Sequence, residues 1–133
     1  MEQWVAKYNK KIPEGFKRDK KFALIYLPEK GFAEILSTDK MIIVNQLCGE
    51  FKFWRKFAEE LARRRGLKYA GTICIRNVEA YIRLAGFEIE RIEQTEQGKR
   101  YFCRDKNEGQ RGQASPAGKG TYYITWEVAA DEI

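Results

Sequence analysis

The chain has no histidine and three cysteines, Cys48, Cys74 and Cys103. These two facts bound its chemistry. Without imidazole there is no Ser-His-Asp or Cys-His catalysis, no His-ligated zinc and no HExxH centre. The cysteines are widely spaced and odd in number, and no pair has metal-ligand spacing. They read as reduced thiols in or near a core, with a catalytic or redox thiol as the alternative. Acid–base work falls to Tyr, Cys, Lys, Asp, Glu or water. Two further features attract anions. Gly49 lies where a strand hands over to a helix, which sets a helix N-terminus beside a strand C-terminus, a natural place for phosphate or carboxylate. Lys17-Arg18-Asp19-Lys20-Lys21 is a basic patch, either a solvated loop or a phosphate contact.

The elements that must position these residues centre on 41–87. A strand is expected over 41–47, with the β-branched run Ile42-Ile43-Val44. Phe51, Trp54, Phe57, Ala58, Leu61 and Ala62 then recur at helical period and form one stripe. The opposite face, Lys52, Lys56, Glu59 and Arg63, is expected in water. Arg63-Arg64-Arg65 suit the negative end of the helix dipole, and Gly66 ends the helix. A second strand follows over 68–75. Asn77 then caps a helix carrying Val78, Tyr81, Ile82 and Ala85 on one face, closed by Gly86. The β-α-β-α order favours a parallel pair joined by a right-handed crossover.

Upstream, residues 2–12 suit a short helix with Trp4, Val5, Tyr8 and Ile12 on one side, ended by Pro13 and Gly15. Strands at 22–27 and 32–36 lead by short turns into the strand at 41, as an antiparallel meander. Downstream, 87–94 and 100–104 form a hairpin about Gln97-Gly98. The Gly-, Gln- and Ser-rich stretch 105–120 shows no apolar periodicity and reads as a mobile loop, in which Arg111 and Lys119 would suit an anion or a nucleic acid strand. A last strand occupies 121–128, and Asp131-Glu132 read as a frayed acidic end.

The 133 residues suit one domain, 1–133, and 44% hydrophobic content argues against global disorder. No run is long enough to span a bilayer and the N-terminus lacks a signal-peptide core, so a cytoplasmic protein with no membrane partner is expected. The net charge of +6 suits nucleic acid, a phosphorylated cofactor or an acidic protein, and equally a basic surface with no such role.

One resemblance sharpens this reading. The helix ending Ala62-Arg63-Arg64-Arg65-Gly66, the short strand after it, Asn77, and a helix closing on Ala85-Gly86-Phe87 resemble, in order and spacing, the acyl-CoA-binding core of the GNAT superfamily of N-acetyltransferases. The likeness is to a divergent member. The family's loop of Q or R, two residues, then G-x-G or G-x-A keeps only Gly49 here. Glu50 brings a negative charge where pyrophosphate would sit, and Tyr81 stands one residue out of register with the family's frequent general-acid tyrosine.

The resemblance implies an α/β (α+β) fold with a GNAT-like mixed, mostly antiparallel sheet flanked by helices. It implies acetyl-CoA as cofactor, no metal, and acyl transfer to an amine. By the same resemblance, the backbone at Gln46, Leu47 and Cys48 would pair with the pantetheine arm. Gly49 and the following amides would hold pyrophosphate, helped by Lys52, Arg55 and Asn77. A water held by Glu34 or Asn45 would take the amine's proton, and Tyr81 or Cys74 would protonate the leaving thiolate. Each residue also has a plain structural use: Tyr81 as a core tyrosine, Glu34 and Asn45 as solvated strand positions, Gly49 as an ordinary turn. The alternative function is a non-enzymatic module on the same scaffold that binds nucleic acid or protein.

Overall fold

A computed structural model describes residues 1–12, 14–75 and 77–129. Pro13, expected to end the first helix, and the acidic pair Asp131-Glu132 lie outside the described residues. The elements run α1 (Glu2–Lys11), β1 (Ala23–Leu27), β2 (Gly31–Ser37), β3 (Met41–Gly49), α2 (Phe51–Arg64), β4 (Tyr69–Cys74), α3 (Val78–Leu84), β5 (Glu88–Thr95), β6 (Gly98–Arg104), β7 (Arg111–Pro116) and β8 (Tyr122–Glu127). All eight strands join one sheet in the order β1-β2-β3-β4-β8-β7-β6-β5. The pair β3–β4 is parallel, as the crossover through α2 requires, and every other pair is antiparallel.

This corrects the expected fold class. The described residues are 43% strand and 24% helix, more strand-rich than a GNAT-like sheet flanked by helices. Much of the difference lies in 105–120. Asp105 closes a tight turn, its Oδ1 accepting the amides of Asn107 (2.8 Å) and Glu108 (3.0 Å), and β7 then runs between β6 and β8. The strand shows no apolar alternation because its inward positions are small. A Cβ on Gly112 would lie 3.0 Å from Cys103 Sγ and 3.2 Å from Trp126 Cβ, and its neighbour on that face is Ala114, fully buried. A close-packed interior leaves no room there for the Val or Ile that would have signalled a strand.

The helices divide between the two faces of the sheet. Successive residues of a strand point to opposite faces. On β2, Ala33 and Ile35 belong to the main core, while Phe32 packs with Tyr8 and Cys48 beneath α1. So α1 covers one face at the β2–β3 end, and α2 packs against β3 and β4 on the other. Trp54, Ala58 and Ala62 of α2 are completely buried against Ile42, Val44, Ala70, Ile124 and Trp126. On the α1 face beyond β3, Tyr69 and Tyr123 stand exposed.

The buried side of α2 also carries charge, against expectation. Glu59, read as a solvent-facing residue, is fully buried, and Arg55 is 4% exposed. Arg55 Nε pairs with Glu59 Oε2 at 2.8 Å, and Nη1 reaches Asp105 Oδ2 at 2.6 Å and the Ala85 carbonyl at 2.9 Å. Its guanidinium lies 4.0 Å from the centre of the Phe87 ring. Trp126 Nε1 donates to Glu59 Oε2 at 2.8 Å. Burial works against ionisation of Asp105, but the Glu108 amide, the Arg55 guanidinium and the Asn107 amide outweigh it and hold its carboxyl below the usual range.

Two outcomes are expected. Trp54→Ala should cost roughly 3–5 kcal/mol in urea-melt stability, since a fully buried indole leaves a large cavity. Asp105, with a lowered folded pKa, contributes stability that is present above about pH 4 and lost as pH falls through the folded value. Asp105→Asn should therefore destabilise at neutral pH by roughly 3 kcal/mol and flatten the acid limb of a stability-versus-pH profile.

Candidate functional site

The parallel pair β3–β4 is short. It runs in register from Met41↔Tyr69 to Val44↔Thr72 and stops there, while β3 continues to Gly49 and β4 to Cys74. Two local features draw β3 away. The β2–β3 ladder slips between Phe32 and Glu34, so Gln46 and Leu47 together face Ala33. Gln46 is also bent into a positive φ of 34°, unusual for a residue with a side chain. Such a backbone costs roughly 1–3 kcal/mol and persists only where its surroundings fix it.

Here the fixing is done by side chains. Gln46 Oε1 accepts the Lys17 amide at 2.9 Å, and Nε2 donates to the Lys17 carbonyl and to Glu34 Oε1, the latter at 2.6 Å. Glu34, fully buried, also accepts from Asn45 Nδ2 (3.1 Å), Arg18 Nη1 (2.7 Å) and the Asp19 amide (2.7 Å). It is therefore a latch holding the 17–19 segment to the bulge, not the solvated strand residue expected. With both oxygens engaged by two donors each, it is poorly placed to hold a catalytic water.

Between the parted strands lies a cleft of about 320 Å3. Asn45, Gln46, Leu47, Cys48 and Gly49 line it from β3, Cys74 from β4 and Tyr81 from α3. Its remaining walls come from Phe51, Ile73 and Ile75, and from the end of α1 and the segment after it: Tyr8, Lys11, Ile12, Glu14, Gly15 and Lys17. That second wall was not anticipated. Lys17 and the apolar side of α1 were visible in the sequence, but nothing local says where they pack.

Tyr81 stands at the point where the strands part. Thr72 Oγ1 donates to the Val44 carbonyl at 2.8 Å, so its single proton is spent there. The 3.0 Å contact between Thr72 Oγ1 and the Tyr81 hydroxyl therefore has Tyr81 as donor. Burial pushes the phenol above its ordinary range, which the Thr72 hydrogen bond only partly offsets, so it stays protonated at neutral pH. The Phe51 ring meets Tyr81 edge-on, with centroids 4.7 Å apart. Cys74 is 4% exposed at the cleft. The Cys48 thiol is pushed up by burial, against the opposing charges of Lys11 and Lys7. Cys103 sits in the main core, away from the cleft, its pKa raised to about 11 by burial.

Other candidates are placed elsewhere. Arg55 is spent in the buried network and cannot meet a pyrophosphate. Lys52 is exposed and does not line the cleft. Asn77 caps α3, its Oδ1 accepting the Ala80 amide at 3.1 Å, and lies outside the lining. Gly49 has a reason independent of any ligand: a Cβ there would lie 1.9 Å from the Lys30 carbonyl, and one on Gly31 would lie 1.9 Å from the Cys48 carbonyl. The Glu50 carboxylate pairs with Lys30 Nζ at 2.9 Å, which neutralises the charge that would repel an anion at the start of α2. Among the described residues no group of three or more His, Cys, Asp or Glu could hold a metal.

Removing the Tyr81 hydroxyl tests this hydrogen-bonded chain. Tyr81→Phe should cost about 0.5–1.5 kcal/mol at neutral pH. With a raised folded pKa, the contribution of Tyr81 is fully present below about pH 10 and lost as pH rises from there toward the folded value. Wild type should therefore lose more stability than the variant between about pH 9 and 11, read by denaturant melts.

No protein-family model matches this chain, and no curated protein matches it. What the cleft does is read from its own geometry.

Proposed function

We propose that the cleft binds an acyl-CoA, such as acetyl-CoA, and that the protein transfers its acyl group to an amine. One observation carries the reading: β3 and β4 stop pairing at Val44 and Thr72 while both strands run on. The β4-facing edge of β3 beyond Val44 is left for an extended amide-bearing arm to pair with, as an added strand would. The cleft's volume lies at the lower end of the range for small-molecule sites, and its lining is mainly apolar, as a pantetheine arm and acyl group require. The start of α2 offers amides to pyrophosphate, with the N-cap Glu50 paired to Lys30 and no acidic residue in the first turn after it.

In the proposed reaction the amine nitrogen attacks the thioester carbonyl. A C–N bond forms, the C–S bond breaks, and the thiolate leaves with a proton from Tyr81, whose O–H turns from Thr72 Oγ1 to the sulfur. The amine's proton goes to water, which Asn45 Oδ1 would hold, and from there replenishes the phenol. Cys74 is a wall of the thioester site in this scheme. The activity is the one implied by the GNAT resemblance, carried on a sheet richer in strands.

The three free cysteines agree with a reducing, cytoplasmic setting, and no helix among the described residues is long and apolar enough to cross a membrane. The nucleic-acid reading loses one of its motives, because 6 residues of the supposed mobile loop, Arg111 among them, form β7.

Calorimetry and thermal shift with acetyl-CoA test the proposal. Saturable binding is expected, with about 2.7 kcal/mol of added stability at a hundredfold excess over Kd. Tyr81→Phe should bind acetyl-CoA normally and lower kcat by about 100-fold or more. No heat and no shift at millimolar ligand would remove the enzyme reading.

A further inference from the structure

Resting on the acyl-CoA reading, we infer that the acyl acceptor is a small amine carrying a carboxylate or phosphate, held at that anionic end by Lys11 and Lys17. Both lysines line the cleft on the wall formed by the end of α1 and the segment after it. Both residues are exposed, and neither ammonium has an ion pair or hydrogen bond among the described residues. Glu14 is the carboxylate of the same wall, and it already has a partner of its own.

The position of Lys17 is built, not incidental. Its backbone N–H and C=O are both held by the Gln46 side chain at the bulge that parts the strands. The feature that opens the cleft therefore also sets Lys17 at its edge. Lys11 ends α1, whose Tyr8 also lines the cleft, and its charge is felt at the Cys48 thiol on β3.

Two uncompensated ammonium groups beside an apolar cleft discriminate among acceptors in two ways. They attract an anion by charge-assisted hydrogen bonds. They also disfavour a second positive charge nearby, so a bound acceptor amine is shifted toward its neutral, nucleophilic form. The second effect matters because Glu34, the carboxylate first considered for handling the amine's proton, is occupied as a latch.

Calorimetry on the full chain, with and without CoA, decides the matter with three probes: β-alanine, O-phosphoethanolamine and ethanolamine. Wild type should bind at least one of the anionic amines about tenfold or more tightly than ethanolamine, with affinity falling as salt rises. Tighter binding of β-alanine or of O-phosphoethanolamine supports the inference and identifies the anion. Lys11→Gln/Lys17→Gln should erase the preference while leaving the melting temperature and acetyl-CoA affinity unchanged. Equal binding of ethanolamine overturns the inference, as does a preference that survives in the double variant, or no binding by any probe. Loss of acetyl-CoA affinity in the double variant also overturns it, because the lysines would then serve the cofactor. Lysine-dependent binding of anionic amines without any binding of acetyl-CoA would support this site and remove the acyltransferase reading alone.

Discussion

A guanidinium removed from water must find partners for its charge and its donors, and the partners of Arg55 set how the elements of this protein meet. Its Nη1 ties α2 to the end of α3 through the Ala85 carbonyl and to the turn after β6 through Asp105. Its Nε holds Glu59, whose carboxylate in turn takes the indole N–H of Trp126 on β8. The flat face of the group lies on Phe87, where the chain enters β5. Desolvating such a cluster is expensive, and replacing it with apolar residues of similar volume is often neutral or stabilising. Its use is better sought in specificity: a hydrophobic plug would let α3 slide against α2, whereas a fork of fixed geometry admits one arrangement. Since α3 carries Tyr81, that arrangement also sets where the phenol stands.

The cleft depends on a second polar assembly, of opposite sign, on the other side of β3. Glu34 is a buried anion facing the 17–19 segment, and it is satisfied by side-chain and backbone donors that all lie near the bulge. The bent backbone at Gln46 and the latch support each other. Without the bulge Gln46 could not reach both Glu34 and Lys17, and without those bonds the positive φ would relax toward regular strand. A relaxed β3 would continue its parallel ladder with β4 past Thr72 and close the cleft. The opening is thus maintained by hydrogen bonds at its edge, among Gln46, Asn45, Lys17 and the buried Glu34, while Leu47, Phe51, Ile73 and Ile75 supply apolar wall.

The local parts of this structure were legible in the sequence, and the long-range parts were not. The strands at β3 and β4, the stripe of α2, the Asn77 cap and the ends of α1 follow from period, branching and capping, which act over a few residues. The burial of Arg55 and Glu59 was hidden because their spacing by four residues is just what an exposed ion pair shows. Only the packing of Phe87, Trp126 and the Asp105 turn around them decides otherwise. β7 was missed for a related reason: its inward residues are small because Cys103 and Trp126 fill the space, and a sequence shows a small residue without showing its neighbour. At the cleft, residues 45–49, Cys74 and Tyr81 were singled out through the GNAT resemblance, and all of them line it. Lys17 was not, because what brings it there is the side-chain amide of Gln46, 29 residues away, nor was Lys11, which arrives with the packing of α1 on the sheet.

The cleft's parts differ in how freely they can change. Gly31 and Gly49 face each other's strands so closely that any side chain on either would overlap a backbone carbonyl, so the start of α2 is fixed by the backbone whatever it binds. Glu50, which follows, keeps its charge away from that start by pairing with Lys30, itself one residue before Gly31. A helix start held in place and electrically neutralised draws anions through its amides alone, a modest attraction of about 0.3–1 kcal/mol where solvent is near. Positive charge must then come from elsewhere, and within the lining it comes from Lys11, the last residue of α1, and Lys17 in the segment after it. Lys17 is nevertheless tied to the geometry of the strands, because the Gln46 side chain at the bulge holds its backbone. The backbone at 45–49 sets the shape of the opening, and Lys11 at the end of α1 and Lys17 after it set the charge along its other wall.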